Sequence, residues 1–136
     1  MIKARRKARA VILQVLYEID SGRHQASNVI DHLIASANLS EDNNAFVRRQ
    51  VNGVIQHKQQ LDDNIRRFAP AWPIHQLSTT DRNILRLAIF ELLIDNKVPI
   101  SIAINEAVEL AKKFGSDNSA RFINGVLSSV SILATG

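Results

Sequence analysis

The chain has 136 residues, of which 46% are hydrophobic and 22% charged, the composition of a soluble globular protein of one domain. It contains no cysteine, which excludes disulfides, zinc–thiolate sites and cysteine nucleophiles and is compatible with a reducing cytoplasm. No apolar run approaches the roughly 18 residues that a membrane span needs, and the N-terminus lacks the pattern of a secretory signal.

The positive charge of the chain is concentrated at its N-terminus. The formal net charge is +4, from 17 Lys and Arg against 13 Asp and Glu. No acid precedes Glu18, and five of the basic residues form an N-terminal basic cluster: Lys3, Arg5, Arg6, Lys7 and Arg9. Such an asymmetry indicates a polyanionic partner, with nucleic acid first, although a solubilising terminus is the alternative interpretation.

The N-terminal segment KARRKARAVILQVLYEID predicts a helix over about residues 4–20, which Gly22 ends. The residues that share one arc of a helical wheel are expected to face the core: Ala8, Ile12, Val15, Leu16 and Ile19. The basic cluster lies opposite this stripe or beside it. Leu13 and Tyr17 also lie outside the stripe, which predicts a second, outward apolar patch suited to a protein contact.

Three further helices are predicted before Pro70. Ser27 is the candidate N-cap of the second helix and Ser40 that of the third. The fourth carries Phe68 near its C-terminal end. Their inner faces are expected to hold Val29, Ile30, Leu33, Ile34 and Ala37 in the second, Phe46, Val47, Val51, Val54 and Ile55 in the third, and Leu61 and Ile65 in the fourth.

The two prolines of FAPAWP mark the clearest internal break. They divide a single domain of residues 1–136 into an N-terminal helical group of about residues 1–70 and a C-terminal group of about residues 74–136. With a short helical turn after the break, the pattern predicts a compact all-α domain of about seven helices in two packed bundles.

Three helices are predicted in the C-terminal group, over about residues 79–95, over about residues 102–114, and from the SDNS segment to about residue 130. Ser78 and Ser101 are candidate N-caps of the first two. The first is the most apolar helix of the chain and is expected at its centre. Glu106 in the second helix and Gly125 in the last are interpreted as packing residues, Gly125 for close backbone contact.

No catalytic or metal-binding arrangement is predicted. The histidines form no H-E-x-x-H pair, and no G-x-S-x-G or Walker sequence occurs. Asp62 and Asp63 would point about 100° apart on a helix, which does not suit a shared acid–base site. No cofactor is expected, and an enzyme ranks third, behind an RNA-binding factor and a purely structural helical adaptor.

Residues 99–127 carry the most specific pattern. The segment P-x-x-x-A-I-N-E-A-V-E-L-A-K-x-F, followed by S-x-x-F-I-N-G-V-L, resembles the NusB family of bacterial transcription antitermination factors. RRKAR running into LQVLYEID, Trp72, and DRNILRLAIFELL extend the resemblance along nearly the whole chain. The same module forms the N-terminal domain of some ribosomal RNA cytosine methyltransferases, and the end of the sequence at Gly136 favours the stand-alone factor.

The resemblance implies a non-catalytic, all-helical cytoplasmic factor that regulates transcription. Such proteins bind the single-stranded boxA element of ribosomal RNA leaders together with NusE, a small-subunit ribosomal protein, and help RNA polymerase to pass terminators. Some self-associate through the NusE surface, so a homodimer is left open. Carried over by position, with Leu13 added as the neighbour of Tyr17, RNA contact is expected at Lys3, Arg5, Arg6, Lys7, Arg9, Phe68, Ser116 and Asn118, and NusE contact at Leu13, Tyr17 and Asp81.

Overall fold

The computed structural model describes residues 2–22 and 25–135, a part of the chain that contains seven α-helices and no strand. The helices are α1 Ile2–Asp20, α2 Ala26–Ala37, α3 Glu41–Gln56, α4 Lys58–Phe68, α5 Thr79–Ile89, α6 Ile100–Phe114 and α7 Ser119–Thr135. A 3-10 turn, Ile74–Gln76, precedes α5, and a π-helical segment, Phe90–Asp95, continues it. The predicted all-α fold is confirmed.

Local sequence signals explain several helix boundaries. Gly22 ends α1 with a φ of 86°, a left-handed conformation that glycine adopts without steric cost. Ser40 caps α3 and Ser78 caps α5, each by accepting a hydrogen bond from the amide three residues later. These three predicted boundary residues are confirmed.

Two predicted caps are wrong. The second helix begins at Ala26, so Ser27 lies inside its first turn, and the preceding residue makes no side-chain cap. The sixth begins at Ile100, directly after Pro99, and Ser101 is therefore already helical. The fixed φ of proline, here −57°, is compatible with helix entry, and this explains a start that needs no serine cap.

One hydrophobic core runs through the molecule, with α5 at its centre. Helix α1 packs on α2, α3 and α5, and α5 also packs on α4, α6 and α7. The large side chains with no exposed surface come from both sides of the proline break: Ile12, Leu61, Ile65, Ile84, Leu85, Ile89, Ile123 and Leu127. The central position predicted for the most apolar helix is confirmed. The division into two helical groups stays a prediction.

Close backbone packing occurs at a glycine that the sequence does not single out. A Cβ atom on Gly53 of α3 would overlap the buried ring of Phe90, so a larger residue there would force that ring to move. The predicted role of Gly125 is wrong, because no atom lies within 4 Å of the place that its Cβ would occupy. Ile55, expected on the inner face of α3, is 40% exposed because it lies just beyond the buried arc of that helix.

A charged network fixes the C-terminal end of α1 to α5. Asp20 Oδ2 accepts hydrogen bonds from Arg82 Nε at 2.8 Å and from Asn83 Nδ2 at 2.9 Å. It also accepts one from Arg86 Nη1 at 3.2 Å. Arg86 in turn donates to both carboxylate oxygens of Asp62 on α4, at 2.7 and 3.0 Å. Asp62 therefore has a structural partner, and α1, α4 and α5 are joined by ionic contacts.

We expect this network to make the free energy of unfolding depend on pH in the acidic range. Burial raises the pKa of the Asp20 carboxyl, but the hydrogen bonds from Arg82 and Asn83 and the charge of Arg86 outweigh it, so the pKa lies below its usual value of 3.8. A carboxyl whose pKa is lowered in the folded state stabilises that state above about pH 4, and this stabilisation is lost as the pH falls through the folded pKa.

Asp20→Asn should therefore lower the free energy of unfolding at pH 7 and flatten its decline below about pH 4. Urea denaturation at a series of pH values measures both effects. The matched control is Asp63→Asn on α4, whose side chain is 65% exposed. An Asp20→Asn variant with the same acid dependence as the wild type would contradict the assignment.

Candidate nucleic-acid interface

The N-terminal basic cluster is helical and lies on the first turns of α1. Lys3, Arg6 and Lys7 are exposed, as their positions on the far side of the helix predict. Arg5 is half-buried, and Arg9 retains only 4% of its accessible surface. The cluster thus consists of three exposed cations, the half-buried Arg5 and the buried Arg9.

Arg9 is committed to a buried ion pair. Its Nη2 and Nε donate to the two carboxylate oxygens of Glu91, at 2.9 and 3.3 Å, and the two side chains are 5% and 3% exposed. Its Nη1 lies 3.8 Å from Glu106 Oε1. Two acids, from the π-helical segment and from α6, thus hold this side chain in a buried position. The expected RNA contact by Arg9 stays a prediction, and this ion pair opposes it.

Glu106 also forms an ion pair with Arg6. Arg6 Nε donates to the two Glu106 oxygens at 2.9 and 3.1 Å. The Glu106 side chain is 7% exposed, whereas that of Arg6 is 47% exposed. Because the pair engages Nε, the half-exposed guanidinium can still present terminal donors to a phosphate. The packing role predicted for Glu106 is accompanied by an electrostatic one.

A basic groove extends this surface across to the C-terminal end of α6. We call it the lysine groove; its exposed cations are Lys3, Arg6 and Lys7 from α1 and Lys112 and Lys113 from α6, and the buried Arg9 also lines it. The two α6 lysines are absent from the contacts that the sequence predicts, because they lie far from the cluster along the chain. Basic residues in the last turn of a helix are also common for a local reason, since they complement the helix dipole.

Ser116 and Asn118 lie exposed in the loop between α6 and α7. They line a shallow groove together with Asp81, Trp72 and Phe122. Trp72 is 55% exposed and meets Phe122 edge to face, with ring centroids 6.4 Å apart. The structure therefore brings Asp81, expected to contact NusE, beside two residues expected to contact RNA, and adds two aromatic rings to them.

Phe68 lies at the C-terminal end of α4 and is half-buried, with its ring partly packed against the hydrophobic core. The guanidinium of Arg67 lies 5.0 Å from the centroid of this ring. Only part of the Phe68 ring is thus available to a base. Its expected RNA contact stays a prediction.

The outward patch on α1 holds Tyr17 but not Leu13. Tyr17 is 47% exposed, whereas Leu13 is 4% exposed, so the expected place of Leu13 on the surface is wrong. Leu13 and Tyr17 line one groove together with Thr80 of α5 and Phe114 of α6. The buried arc of α1 is wider than one stripe because neighbouring elements cover both of its flanks.

Metal-binding and membrane-spanning features are both missing from residues 2–22 and 25–135. No group of three or more His, Asp or Glu side chains in this part of the chain is arranged to hold a metal ion. Within the same residues, no helix combines the length and apolar character that crossing a membrane requires.

Comparisons with known proteins agree with this architecture. Residues 6–131 match the model of the NusB family. The chain is 57% identical over 131 residues to the transcription antitermination protein NusB of Dehalococcoides mccartyi, covering 96% of this chain and 92% of that one. It is 40% identical over 126 residues to the protein of the same name from Bacillus velezensis, covering 93% and 94%.

Two solved structures are also similar. NusB from T. maritima has a TM-score of 0.88 at 31% identity, covering 94% of this chain and 90% of that one. The NusB chain of a crystal structure of antitermination factors NusB and NusE with double-stranded RNA has a TM-score of 0.88 at 25% identity, covering 98% and 99%.

Proposed function

This chain belongs to the NusB family, and we propose from this premise that it is an RNA-binding transcription antitermination factor that works together with NusE. The lysine groove is the observation that carries the proposal. It joins cations from two helices on one exposed surface. Such a surface can bind a phosphate backbone, whereas a basic tail that only aids solubility would not need cations from a second helix. The solved complex of a similar NusB with NusE and RNA supports the same conclusion.

The proposed RNA is a boxA-like single strand from a ribosomal RNA leader, and its phosphates lie along the lysine groove. Ser116 and Asn118 offer a hydroxyl and an amide for polar contacts, and Phe68 offers part of a ring for stacking. In this proposal the lysine groove supplies affinity, whereas the neighbouring polar and aromatic side chains supply the preference for a sequence.

Tyr17 and Asp81 are the proposed NusE contacts. Tyr17 combines an exposed ring with a hydroxyl, the kind of side chain that often dominates a protein interface. Asp81 Oδ1 is buried without a hydrogen-bond partner among the described residues, although the groove of Trp72 and Phe122 passes beside it. A donor from a partner would satisfy this oxygen. Because this groove also holds Ser116 and Asn118, NusE and RNA would meet there.

We propose further that the factor is non-catalytic, requires no cofactor, and acts in the cytoplasm with the RNA polymerase antitermination complex. Membership of the NusB family supports these proposals. A homodimer that uses the NusE surface stays an open alternative to the heteromeric assembly.

Tyr17→Ala is expected to weaken NusE binding about tenfold or more, because a central interface tyrosine contributes roughly 2 kcal/mol. Its melting temperature should change little, since the ring is half exposed. Leu13→Ala is the matched variant: the loss of a buried leucine should destabilise the protein by about 2–5 kcal/mol and leave binding by the folded fraction intact. Calorimetric titration and thermal melting separate the two. The opposite pattern would make Tyr17 a core residue.

The proposed function is tested by titrating the protein with boxA-like and scrambled RNA, with and without NusE, at two salt concentrations. We expect a preference for the boxA-like RNA, tighter binding when NusE is present, and weaker binding at higher salt. Equal affinity for both RNAs with no effect of NusE would contradict the proposal and favour the structural helical adaptor.

A further inference from the structure

A second basic groove adjoins the lysine groove and shares Arg6 with it. It lies between α1, α3, the segment that follows the π-helical stretch, and the first turns of α6. We call it the Phe46 groove. Beyond Arg6 and the buried Arg9, which line both grooves, its cations are Arg5, Arg49 and Lys97, none of which the lysine groove includes. The function proposed above leaves Arg49 and Lys97 unexplained.

The acids that line the Phe46 groove do not cancel its outward charge. Glu91 and Glu106 are buried and already paired with Arg9 and Arg6. Asp95 is 11% exposed and lies at the outer limit of an ion pair, 3.9 Å from Arg49. The exposed rim is therefore positive.

Asp42, an acid outside the groove, competes only weakly with an anionic ligand for Arg5. Asp42 lies 3.3 Å from Arg5, but its side chain is 84% exposed. An ion pair in such an environment contributes little to stability, so a phosphate can replace the carboxylate at small cost. Arg5 is thus available to an anionic ligand.

The ring of Phe46 holds two of these cations in place. The guanidinium carbon of Arg5 lies 4.0 Å from the ring centroid, and that of Arg49 lies 5.6 Å from it. Phe46 itself is 5% exposed and packed in the core, so it is a fixed support. A guanidinium group that contacts a ring through its face keeps its N–H edge for other partners, which here are the exposed Asp42 for Arg5 and, in the proposal below, a phosphate.

We propose that the Phe46 groove binds the phosphates of a second RNA segment, adjacent along the strand to the segment in the lysine groove. This inference rests on the function proposed above. Because Arg6 borders both grooves, a strand that leaves one groove enters the other by crossing α1 at that residue. The groove offers cationic donors for phosphates and no exposed ring on which a base can stack, so the proposal assigns it to the RNA backbone.

The test compares a short boxA-like RNA with the same RNA extended by about ten uridines at each end, a length that a single-strand groove can cover. The wild-type protein should bind the extended RNA about five- to tenfold more tightly than the short one. The double variant Arg49→Gln with Lys97→Gln should lose this gain and bind the short RNA normally. Its salt slope on the extended RNA should fall by about 1.4, because two phosphates are no longer neutralised.

The matched control is Arg48→Gln with Lys58→Gln, which removes the same charge from exposed positions outside the groove. The control should keep the gain, and circular dichroism should show both variants folded. The inference is overturned if extension gives the wild type no gain, if the groove variant keeps it, or if the control loses it equally. Failure of the wild type to bind the short RNA would refute the proposed function itself.

Discussion

Replacing Glu91 with alanine is expected to lower the free energy of unfolding by about 3–5 kcal/mol. Glu91 and Arg9 are almost entirely buried, and their paired hydrogen bonds offset the cost of removing two charges from water. The variant would leave the Arg9 guanidinium buried with only Glu106, 3.8 Å away and already bonded to Arg6, as a remaining acid. Urea denaturation at pH 7 measures the loss.

Two further variants make this result specific. Asp42→Ala removes the exposed partner of Arg5 and should change the free energy of unfolding by less than about 1 kcal/mol. Arg9→Met combined with Glu91→Leu replaces both buried charges by apolar groups and should recover most of the stability. A loss below about 1 kcal/mol for Glu91→Ala would show that the buried pair does not stabilise the fold.

Replacing Lys3, Arg6 and Lys7 together with alanine is expected to weaken RNA binding by tenfold or more. These are the exposed cations of the basic cluster, and the salt slope should fall by about 0.7 for each phosphate that is no longer neutralised. Alanine preserves helix propensity, so helicity should stay near the wild-type value, whereas the loss of Arg6 leaves the buried Glu106 with only Arg9 as a cationic partner and should lower the free energy of unfolding, so affinity is compared for the folded protein. Fluorescence titration with boxA-like RNA at several salt concentrations measures the effect.

Arg9→Ala separates RNA binding from stability within the same cluster. Because its guanidinium is buried, this variant should destabilise the protein while the folded fraction binds RNA with unchanged affinity. A triple alanine variant at Arg48, Lys58 and Arg66 is the charge-matched control and should bind RNA almost normally. Normal binding by the Lys3, Arg6 and Lys7 variant would remove the basic cluster from the interface.

The sequence predicts the burial of α1 side chains correctly where that burial follows from the apolar period of the helix itself. The apolar period places Ile12 and Val15 in the core, and both have no exposed surface. The prediction fails where burial depends on elements that are distant along the chain. Arg9 is buried beside acids from the π-helical segment and α6, and Leu13 lines a groove together with Thr80 and Phe114 of two other helices. A helical wheel of α1 shows only the residues of that helix, so it cannot predict contacts with these neighbours.

The candidate site was only partly predictable for the same reason. The basic cluster is visible as a run of charges in the sequence, whereas Lys112 and Lys113 join it only after folding. The partner of Arg6, Glu106, lies inside the most recognisable motif of the chain, yet neither its spacing nor its apolar setting indicates a pair with α1. Long-range ion pairs depend on tertiary geometry, which no local pattern encodes.

Because α1 is one uninterrupted helix, it fixes the distance and the relative orientation of the side chains proposed to contact RNA and NusE. Arg6 and Tyr17 are separated along its axis by about 16 Å, at 1.5 Å per residue. One residue inserted between them would rotate the RNA-facing end by about 100° relative to the NusE-facing side chain, whereas four would nearly restore the phase. The length of this segment is thus constrained in steps of helical turns, independently of which side chains fill it.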